Sequence, residues 1–326
     1  MDALMGNNPI TVLMATYNGG AYLDQQLHSI TTQTRQPTRI IISDDGSTDE
    51  TPDILARFIN RAPFPVTIIT GPQNGVAQNM LALQALAPQG YVAFADQDDI
   101  WLPDKLARAV DALSLLPANS PAIYTACRII TDAETNPQGI TKLPHRGPGF
   151  ANALVQNIAP GNTIMLSPAA LALAQSAAGE LTTCIPPYHD WWLYQLITGT
   201  GGSVVFDPRP VLYYRQHKGN YLGAGKGLSK RLRRLKALFD GTYCGWLMAQ
   251  AQALECSSDR LTSEARDQLK LFLLAMNGAS GIRQPVHVYR QSFPEQLLLR
   301  IALVVHRYQK LLTTPLSFPD NSRTTG

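Results

Sequence analysis

Three carboxylates, Asp96, Asp98 and Asp99, fall within four positions directly after a short apolar run. The run, residues 91–95, predicts a buried strand of a parallel sheet. Carboxylates this close together repel one another and are rarely buried without a partner, so the group indicates a bound cation, a cationic substrate or strong hydrogen bonding. Loop carboxylates suit Mg²⁺ or Mn²⁺, which usually keeps coordination positions open for phosphate oxygens. The alternative is a solvated acidic turn that caps a helix beginning near Pro103.

The elements that would position these carboxylates alternate between strand and helix. Four short apolar runs have the composition of strands: residues 10–15, 39–42, 66–70 and 91–95. Each is followed by apolar residues at helical spacing, and Ser47 or Thr48 is the expected N-cap of the second helix. Such alternation predicts strands that pair in parallel through right-handed crossovers.

Two further loops end strands of this predicted sheet. Asp44 and Asp45 follow the second strand, and Thr16-Tyr17-Asn18-Gly19-Gly20 follows the first. Because the ligand crevice of an open α/β sheet lies at the carboxyl ends of its strands, we expect Asp44, Asp45, Asp96 and Asp98 to face one crevice. The first loop has neither a GxGxxG fingerprint nor the lysine of a Walker loop. The crevice is therefore expected to bind a base and ribose through carboxylates, and a diphosphate through a metal.

These three loop segments resemble the motifs of family 2 glycosyltransferases with the GT-A fold. They are Ala15-Thr16-Tyr17-Asn18-Gly19, Ser43-Asp44-Asp45-Gly46-Ser47-Thr48-Asp49 and Asp96-Gln97-Asp98-Asp99, and the resemblance covers roughly residues 8–222. It implies an α/β, Rossmann-like fold with a mostly parallel central sheet and flanking helices. It also implies inverting transfer of a sugar from a nucleotide-diphosphate donor.

The resemblance assigns roles to individual positions. Those assigned to the donor nucleotide are Thr16, Tyr17, Asn18, Asp44, Asp45 and Asp96, with Asp96 near the ribose. Asp98 is assigned to the metal, Mg²⁺ or Mn²⁺, that bridges the diphosphate. Gln78 departs from the pattern, since many relatives carry a donor-contacting Arg or Lys there.

The second half of the chain carries candidates for the acceptor side. Residues 161–166 resemble the acceptor-side strand of the family, and His189-Asp190-Trp191-Trp192 opens a helix after a double proline. In one interpretation Asp190 is only a helix-start carboxylate favoured by the dipole, and the tryptophans are core. In the interpretation we favour, Asp190 matches the family's general base, which accepts the proton of the acceptor hydroxyl. The residues expected near the acceptor or its lid are Asn162, Thr163, His189, Trp191, Trp192 and Arg215.

Two short strands, residues 204–206 and 211–214, are predicted before a segment that carries Arg215 and His217. A basic segment after a strand suits a lid that closes on a diphosphate. Because a histidine from this region can complete the metal or phosphate site in related transferases, the resemblance places His217 with Asp98 at the metal. Residues 131–150, rich in proline and glycine, are predicted to form a loop over the site whose His145 and Arg146 contact either solvent, which we favour, or the substrate.

Composition bounds the remaining choices. The chain has 326 residues, a net charge of +3, 45% hydrophobic and 16% charged residues, which is typical of a globular protein and gives no reason to expect nucleic-acid binding. Its four cysteines lack metal spacing, and neither a secretory signal nor an apolar run long enough to span a bilayer is evident. We therefore expect a cytoplasmic protein.

The organisation predicted is a catalytic domain over residues 1–222, a helical extension over 223–312 and a disordered tail over 313–326. Residues 226–236 predict a basic amphipathic helix, which rests on an anionic membrane surface or packs on the catalytic domain. The first of these would make the protein peripheral on the cytoplasmic face of the inner membrane.

The motifs after Pro187 look most like those of bacterial rhamnosyltransferases of surface-polysaccharide assembly. The resemblance thus implies dTDP-rhamnose as donor and a hydroxyl of a glycan or lipid-linked sugar as acceptor, with a UDP-hexose as the alternative donor. Two alternatives from other classes are a nucleotidyltransferase and an inactive membrane-associated scaffold. The first usually has a basic Gly-rich N-terminal loop, and the second would be expected to lose some of Asp98, Asp190 and His217.

Overall fold

The computed structural model describes residues 9–181, 184–217, 240–277 and 287–313, the last range with side chains to residue 305. Its strands are β1 (Ile10–Thr16), β2 (Arg39–Asp44), β3 (Val66–Thr70), β4 (Tyr91–Ala95), β5 (Ile100–Trp101), β6 (Ala122–Thr131), β7 (Pro137–Ile140), β8 (Met165–Leu166) and β9 (Ser203–Arg215). Its helices are α1 (Gly20–Thr31), α2 (Thr51–Ile59), α3 (Val76–Leu86), α4 (Lys105–Ser114), α5 (Phe150–Ala153), α6 (Pro168–Ala178), α7 (His189–Gly199), α8 (Thr242–Glu255), α9 (Ser263–Met276) and α10 (Phe293–Thr313).

The described strands form a single mixed sheet in the order β3-β2-β1-β4-β8-β6-β9-β5, with β7 paired to β6. The first four strands pair in parallel, as the alternation of strands and helices predicts. Beyond β4 the sheet continues through antiparallel pairs with β8. Thr16 at the end of β1 lies level with Asp44 at the end of β2, so the two loops that follow start at the same edge.

Alternate residues of the central strands pack on opposite faces of the sheet. Leu13 and Phe94 join a core formed with α3, α6, α7 and the C-terminal helices, whereas Val12 and Ala93 join a core formed with α1, α2 and α4. Because both faces are covered, β1 and β4 are almost wholly buried. Their short apolar runs therefore fix the position of the loops at their carboxyl ends.

Three local expectations are wrong. Helix α2 begins at Thr51 and is not capped by Ser47 or Thr48, because their polar groups bond back to Asp44 and Asn18 instead. The two strands expected between residues 204 and 214 are one long strand, β9, which continues past register shifts against β6.

The third concerns residues 131–150, expected to be a loop throughout, which contain β7 paired with β6. The predicted basic helix, residues 226–236, lies outside the described residues.

The C-terminal helices are not a separate layer. Leu247 of α8, Phe272 of α9 and Leu299 of α10 are buried in the same core as Trp192 of α7. None of the helices that the structure describes is long and apolar enough to cross a membrane.

Candidate active site

The loop after β1 is held to the acidic loop by a pair of hydrogen bonds from one glutamine. The side chain of Gln97 accepts a bond from the backbone N–H of Tyr17 (2.9 Å) and donates one to the carbonyl of Tyr17 (3.0 Å). The Tyr17 ring itself is 59% exposed at the mouth of the crevice. The motif therefore presents an aromatic ring on a backbone that is already fixed.

The carboxylates after β2 hold neighbouring loops through backbone and hydroxyl groups. Asp44 accepts bonds from the hydroxyls of Thr16 (2.8 Å) and Ser47 (2.6 Å). Asp45 accepts bonds from the backbone N–H groups of Gln73 (2.7 Å) and Gly75 (3.2 Å). These carboxylates thus fix the shape of the crevice wall that the sequence assigns to the nucleoside.

Asn18 completes this wall. It adopts a positive φ of 46°, its backbone N–H donates to the Ser47 hydroxyl (2.8 Å) and its amide oxygen accepts from the backbone of Thr48 (2.8 Å). The structure therefore brings together five of the predicted nucleotide residues: Thr16, Tyr17, Asn18, Asp44 and Asp45.

The proposed metal ligands lie in contact. Oδ2 of Asp98 is 2.7 Å from Nε2 of His217, and the imidazole stacks at 4.7 Å between ring centroids on Tyr22 of α1. The two residues are 119 positions apart in the sequence. They meet because β9 ends two residues before His217, at the edge of the sheet where the acidic loop lies. The pairing of Asp98 with His217 is therefore built into the fold.

Arg215 is not on a lid. Its guanidinium is buried, lies over the Tyr22 ring and donates to the backbone carbonyls of Asp98 (3.1 Å) and Ala133 (2.6 Å) and to the side chain of Gln25 (2.5 Å). It fixes the backbone of the acidic loop. The lid expectation for Arg215 is wrong because its donors are used inside the protein.

Asp96 lies between the two halves of the site. Burial, together with the negative charges of Asp98 and Asp190, raises its pKa to about 7, although the positive charges of Arg128 and Lys105 act in the opposite direction. Both carboxylates must be near Asp96 to exert this effect. Asp98 and Asp190 therefore both lie near the residue that the sequence assigns to the ribose.

The acidic loop and the acceptor-side segment share a buried polar network. The amide of Asn162 donates to Asp99 (2.6 Å), and its backbone carbonyl accepts from the ammonium of Lys105 (2.5 Å), which also lies 3.5 Å from the Trp101 ring centroid. Burial lowers the pKa of Lys105 to about 7 and raises that of Asp99. Asn162 is therefore a structural link, and it does not project into the crevice.

Thr163 is also buried, and its hydroxyl bonds to Thr125 (2.7 Å) and to the carbonyl of Pro160 (2.9 Å). It holds the short 3₁₀ turn, Gly161–Thr163, on the sheet and does not face an acceptor.

Asp190 stands at the first turn of α7 and is partly exposed. Its Oδ1 accepts from the backbone N–H of Trp191 (2.7 Å) and its Oδ2 from that of Gly161 (3.0 Å). These bonds orient the carboxylate. Remaining lone pairs of a carboxylate held in this way can accept a proton from a substrate hydroxyl.

The other three residues of this motif lie in the protein. Trp192 is fully buried in the core, and Trp191 is buried with its indole N–H donating to the carbonyl of Ala153 (2.6 Å). His189 packs against the Phe94 ring, 5.4 Å between centroids, and burial lowers its pKa. The expectation that these three side chains contact the acceptor is not met, because all three are buried and pack the helix that carries Asp190.

Three residues of the site escaped the sequence analysis: Gln97, Lys105 and Arg128. Lys105 could have been found, because it shares the buried face of α4 with Ala109 and Leu113 at helical spacing. Arg128 carries no such signal, since it is one cation within a strand. Its guanidinium lies 4.4 Å from the ring centroid of Tyr214 and donates to Asn162 (3.3 Å).

The geometry matches what comparison with known proteins finds. The model of the glycosyl transferase family 2 matches residues 11–179, about half of the chain. The chain belongs to the family 2 glycosyltransferases. It is 30% identical to the dTDP-rhamnosyl transferase RfbG of Shigella flexneri over 234 residues, which is 68% of this chain and 78% of that protein.

Solved glycosyltransferases share the fold of this family 2 enzyme. TarS of S. aureus, in complex with UDP-GlcNAc, has a TM-score of 0.55 at 15% identity, over 93% of this chain and 90% of that chain. A mannosyltransferase from Pyrobaculum calidifontis, in complex with GDP-Man and Mn²⁺, has a TM-score of 0.50 at 18% identity, over 94% and 88%. They confirm the predicted GT-A fold class.

The chemistry of the site fits a divalent cation that arrives with its substrate. Among the described residues no group of three or more His, Cys, Asp and Glu converges as a complete metal site, and Asp98 with His217 forms a pair. Mg²⁺ and related ions are commonly held by one or two protein ligands together with substrate phosphates. The carboxylate of Asp98 and the imidazole of His217 are therefore suitable as the protein ligands of such a cation.

Proposed function

We propose that this glycosyltransferase moves a sugar, with inversion, from a nucleotide-diphosphate donor to a hydroxyl of a glycan or lipid-linked acceptor. The single observation that carries the proposal is that two fixed carboxylates lie close enough to Asp96 for their charges to raise its pKa: Asp98, paired with His217, and Asp190, held by two backbone N–H groups. Inverting displacement needs a base on one face of the donor sugar and a stabilised leaving group on the other. Asp190 is proposed as the base, and Asp98 with His217 as the group that stabilises the leaving diphosphate through a metal.

The donor half of the mechanism rests on residues of the first loops. The Tyr17 ring, presented by the bonds from Gln97, stacks on the base, while Asp45 and Asn18 keep the wall in place. Asp96 accepts a hydrogen bond from the ribose. Because these groups are held before the donor arrives, little ordering is needed on binding.

Asp98 and His217 would hold Mg²⁺ or Mn²⁺ at the diphosphate. When bound, the cation neutralises the negative charge that develops on the leaving nucleoside diphosphate. Arg215 serves this pair indirectly, because it fixes the backbone carbonyl of Asp98.

Asp190 is the proposed general base. The N–H groups of Gly161 and Trp191 aim its carboxylate, and the acceptor hydroxyl loses its proton to it as the oxygen attacks the anomeric carbon. The tight approach of Gly161 to His189 supports this assignment, since a Cβ at Gly161 would lie 3.2 Å from Nε2 of His189. The base is thus positioned by a close-packed turn.

We propose dTDP-rhamnose as the donor, because RfbG is named a dTDP-rhamnosyl transferase and is similar over most of both chains. A UDP-hexose is the second candidate, supported by the shared fold of TarS, whose structure contains UDP-GlcNAc. We further propose a cytoplasmic location with peripheral contact to anionic membrane through residues 226–236, whose charge pattern supports it.

A panel of nucleotide sugars tests the function. Purified protein is incubated with dTDP-rhamnose, UDP-glucose, UDP-GlcNAc and GDP-mannose, with Mn²⁺ or with EDTA, and the released nucleoside diphosphate is measured. We expect release from dTDP-rhamnose in Mn²⁺ and none in EDTA. Release from a UDP-sugar and not from dTDP-rhamnose would show that the donor is the UDP-sugar. Equal release in Mn²⁺ and in EDTA would overturn the metal dependence.

A further inference from the structure

A polar cavity lies on the acceptor side of the site, between the catalytic sheet and the C-terminal segment. Its volume is about 340 Å³, and its walls come from β6, from residues 141–145, 156–158 and 160, and from residues 291, 292 and 295 at the start of α10. Pro160 lines it, and the next residue, Gly161, bonds to Asp190. The cavity therefore adjoins the turn that orients the proposed base.

The charges around this cavity are mostly positive. Arg128, Lys142 and His145 line it and can donate hydrogen bonds, and Glu295 is the acidic residue of the lining. The Glu295 carboxylate is already paired: Oε2 accepts from the Gln156 amide (3.2 Å) and lies 3.9 Å from Nε of Arg290. The cavity therefore favours an anionic ligand.

Arg128 gives the second, independent observation. Its Nε atom is buried and has no hydrogen-bond partner among the described residues, although Nη1 bonds to Asn162. Because Nε is closed to the cavity, Arg128 contributes through the positive charge that its guanidinium brings to the lining. A guanidinium donor in a cavity suits a phosphate or a carboxylate, which accept in its plane.

We propose that this cavity binds an oxyanion of the acceptor, either a phosphate group or a sugar carboxylate, and so selects acidic acceptors. The inference rests on the proposed function, because the cavity is an acceptor subsite only if Asp190 accepts the proton of an acceptor hydroxyl. Arg128 takes the oxyanion from the floor, and Lys142 and His145, both exposed at the rim, take it from the opening.

Three small probes test the proposal: methyl phosphate, methyl glucuronide and the neutral methyl glucoside. Each is titrated into the full-length protein by calorimetry, with dTDP and Mg²⁺ at saturation so that the donor phosphate site is filled. We expect one or both anions to bind and the neutral glycoside not to bind. The stronger of the two anions identifies the class of acceptor.

The variant for this test is Lys142→Gln combined with His145→Gln, at two exposed positions that leave the core intact. It should weaken anion binding by about tenfold, as loss of charge-assisted hydrogen bonds predicts. Lys270→Gln on α9, an exposed lysine outside the cavity, is the matched control and should bind the anions like the wild type.

Equal anion affinities in the double variant and the control, or no anion binding in the wild type, would overturn the proposal. Binding of dTDP, measured in the same samples, distinguishes this outcome from failure of the proposed function. A protein that binds dTDP but no anion keeps its donor site and loses only the acidic-acceptor inference.

Discussion

The ammonium of Lys105 donates a hydrogen bond of 2.5 Å to the backbone carbonyl of Asn162, which links the helix after the metal loop to the turn that orients the proposed base. The amide of the same Asn162 donates to Asp99 of the acidic loop. Asn162 therefore bonds to two elements of the donor side. The residue before it, Gly161, donates its backbone N–H to the carboxylate of Asp190. Donor and acceptor sides are coupled by buried polar groups rather than by a flexible connection.

Replacing Lys105 tests this coupling. Lys105→Met keeps the length of the side chain but leaves the Asn162 carbonyl without its donor, so we expect the free energy of unfolding to fall by roughly 1–3 kcal/mol. Urea denaturation measures the loss. Lys270→Met, an exposed lysine on α9, is the control. A loss no larger than that of the control would show that the buried network does not stabilise the site.

Gly19 is the position at which the donor loop can be disturbed without touching a proposed ligand contact. A methyl group there would overlap the side-chain amide of Gln97, which must then release Tyr17. We expect Gly19→Ala to weaken dTDP binding by about fivefold to thirtyfold, equivalent to roughly 1–2 kcal/mol for the two bonds lost.

Gly245→Ala is the matched control for this substitution, because a methyl group at Gly245 meets no atom within 4 Å. Calorimetric titration of both variants with dTDP gives the comparison. Unchanged affinity in Gly19→Ala would mean that the Gln97 bonds do not organise the donor site.

Loss of either proposed metal ligand should affect donor binding. Asp98→Asn and His217→Ala are each expected to weaken dTDP binding in Mn²⁺, whereas binding in EDTA should already be weak in the wild type. The measurement is dTDP affinity as a function of Mn²⁺ concentration. The idea fails if the wild type binds dTDP equally well with Mn²⁺ and with EDTA.

Asp207 predicts how stability depends on pH. Burial alone would raise its pKa, but hydrogen bonds from Arg209, Arg108 and Tyr124 outweigh burial and lower the pKa from 3.8 to about 2. A carboxylate with a lowered pKa stabilises the fold above its unfolded pKa and loses that contribution as the pH falls through the folded pKa. The shift corresponds to about 2 kcal/mol.

Asp207→Asn should therefore destabilise the protein by about 2 kcal/mol at pH 7. The difference from the wild type should shrink as the pH falls from about 4 towards 2, because the wild-type carboxylate becomes protonated first in the unfolded state and then in the folded state. Urea denaturation at a series of pH values measures it. A difference that stays constant down to the lowest pH at which the protein folds would rule out this ion pair as the cause.

Much of the donor side could be predicted from the sequence. β3 and β4 have the predicted bounds, and β1 and β2 extend one and two residues further, because each apolar run has one obvious place in a parallel sheet. The loops after them carry the family's motifs. The sequence did not predict that the side chains of Asp44, Asp45 and Gln97 form hydrogen bonds to neighbouring loops, since such bonds depend on strand register.

The acceptor side was harder to predict, because there a polar or aromatic residue serves packing as readily as binding. Trp192 and His189 belong to the motif that contains Asp190, yet their side chains are buried. Arg215 belongs to a basic segment, yet its guanidinium is buried and bonds to the backbone carbonyl of Asp98. Residue type alone did not separate these from Asp190. Burial, which depends on how β9 and α7 cross the sheet, separates them. The domain boundary at residue 222 stays a prediction.

The rate of sugar transfer by Asp190→Asn tests the central claim most directly. Asparagine keeps the shape and, through its single oxygen, one of the two bonds from Gly161 and Trp191, but it cannot take a proton. The account predicts that dTDP release from dTDP-rhamnose in Mn²⁺ falls by about 10²–10⁴-fold, the usual contribution of a general base. The affinity for dTDP should stay unchanged. Release by Asp190→Asn at the wild-type rate, with the same affinity, would contradict it.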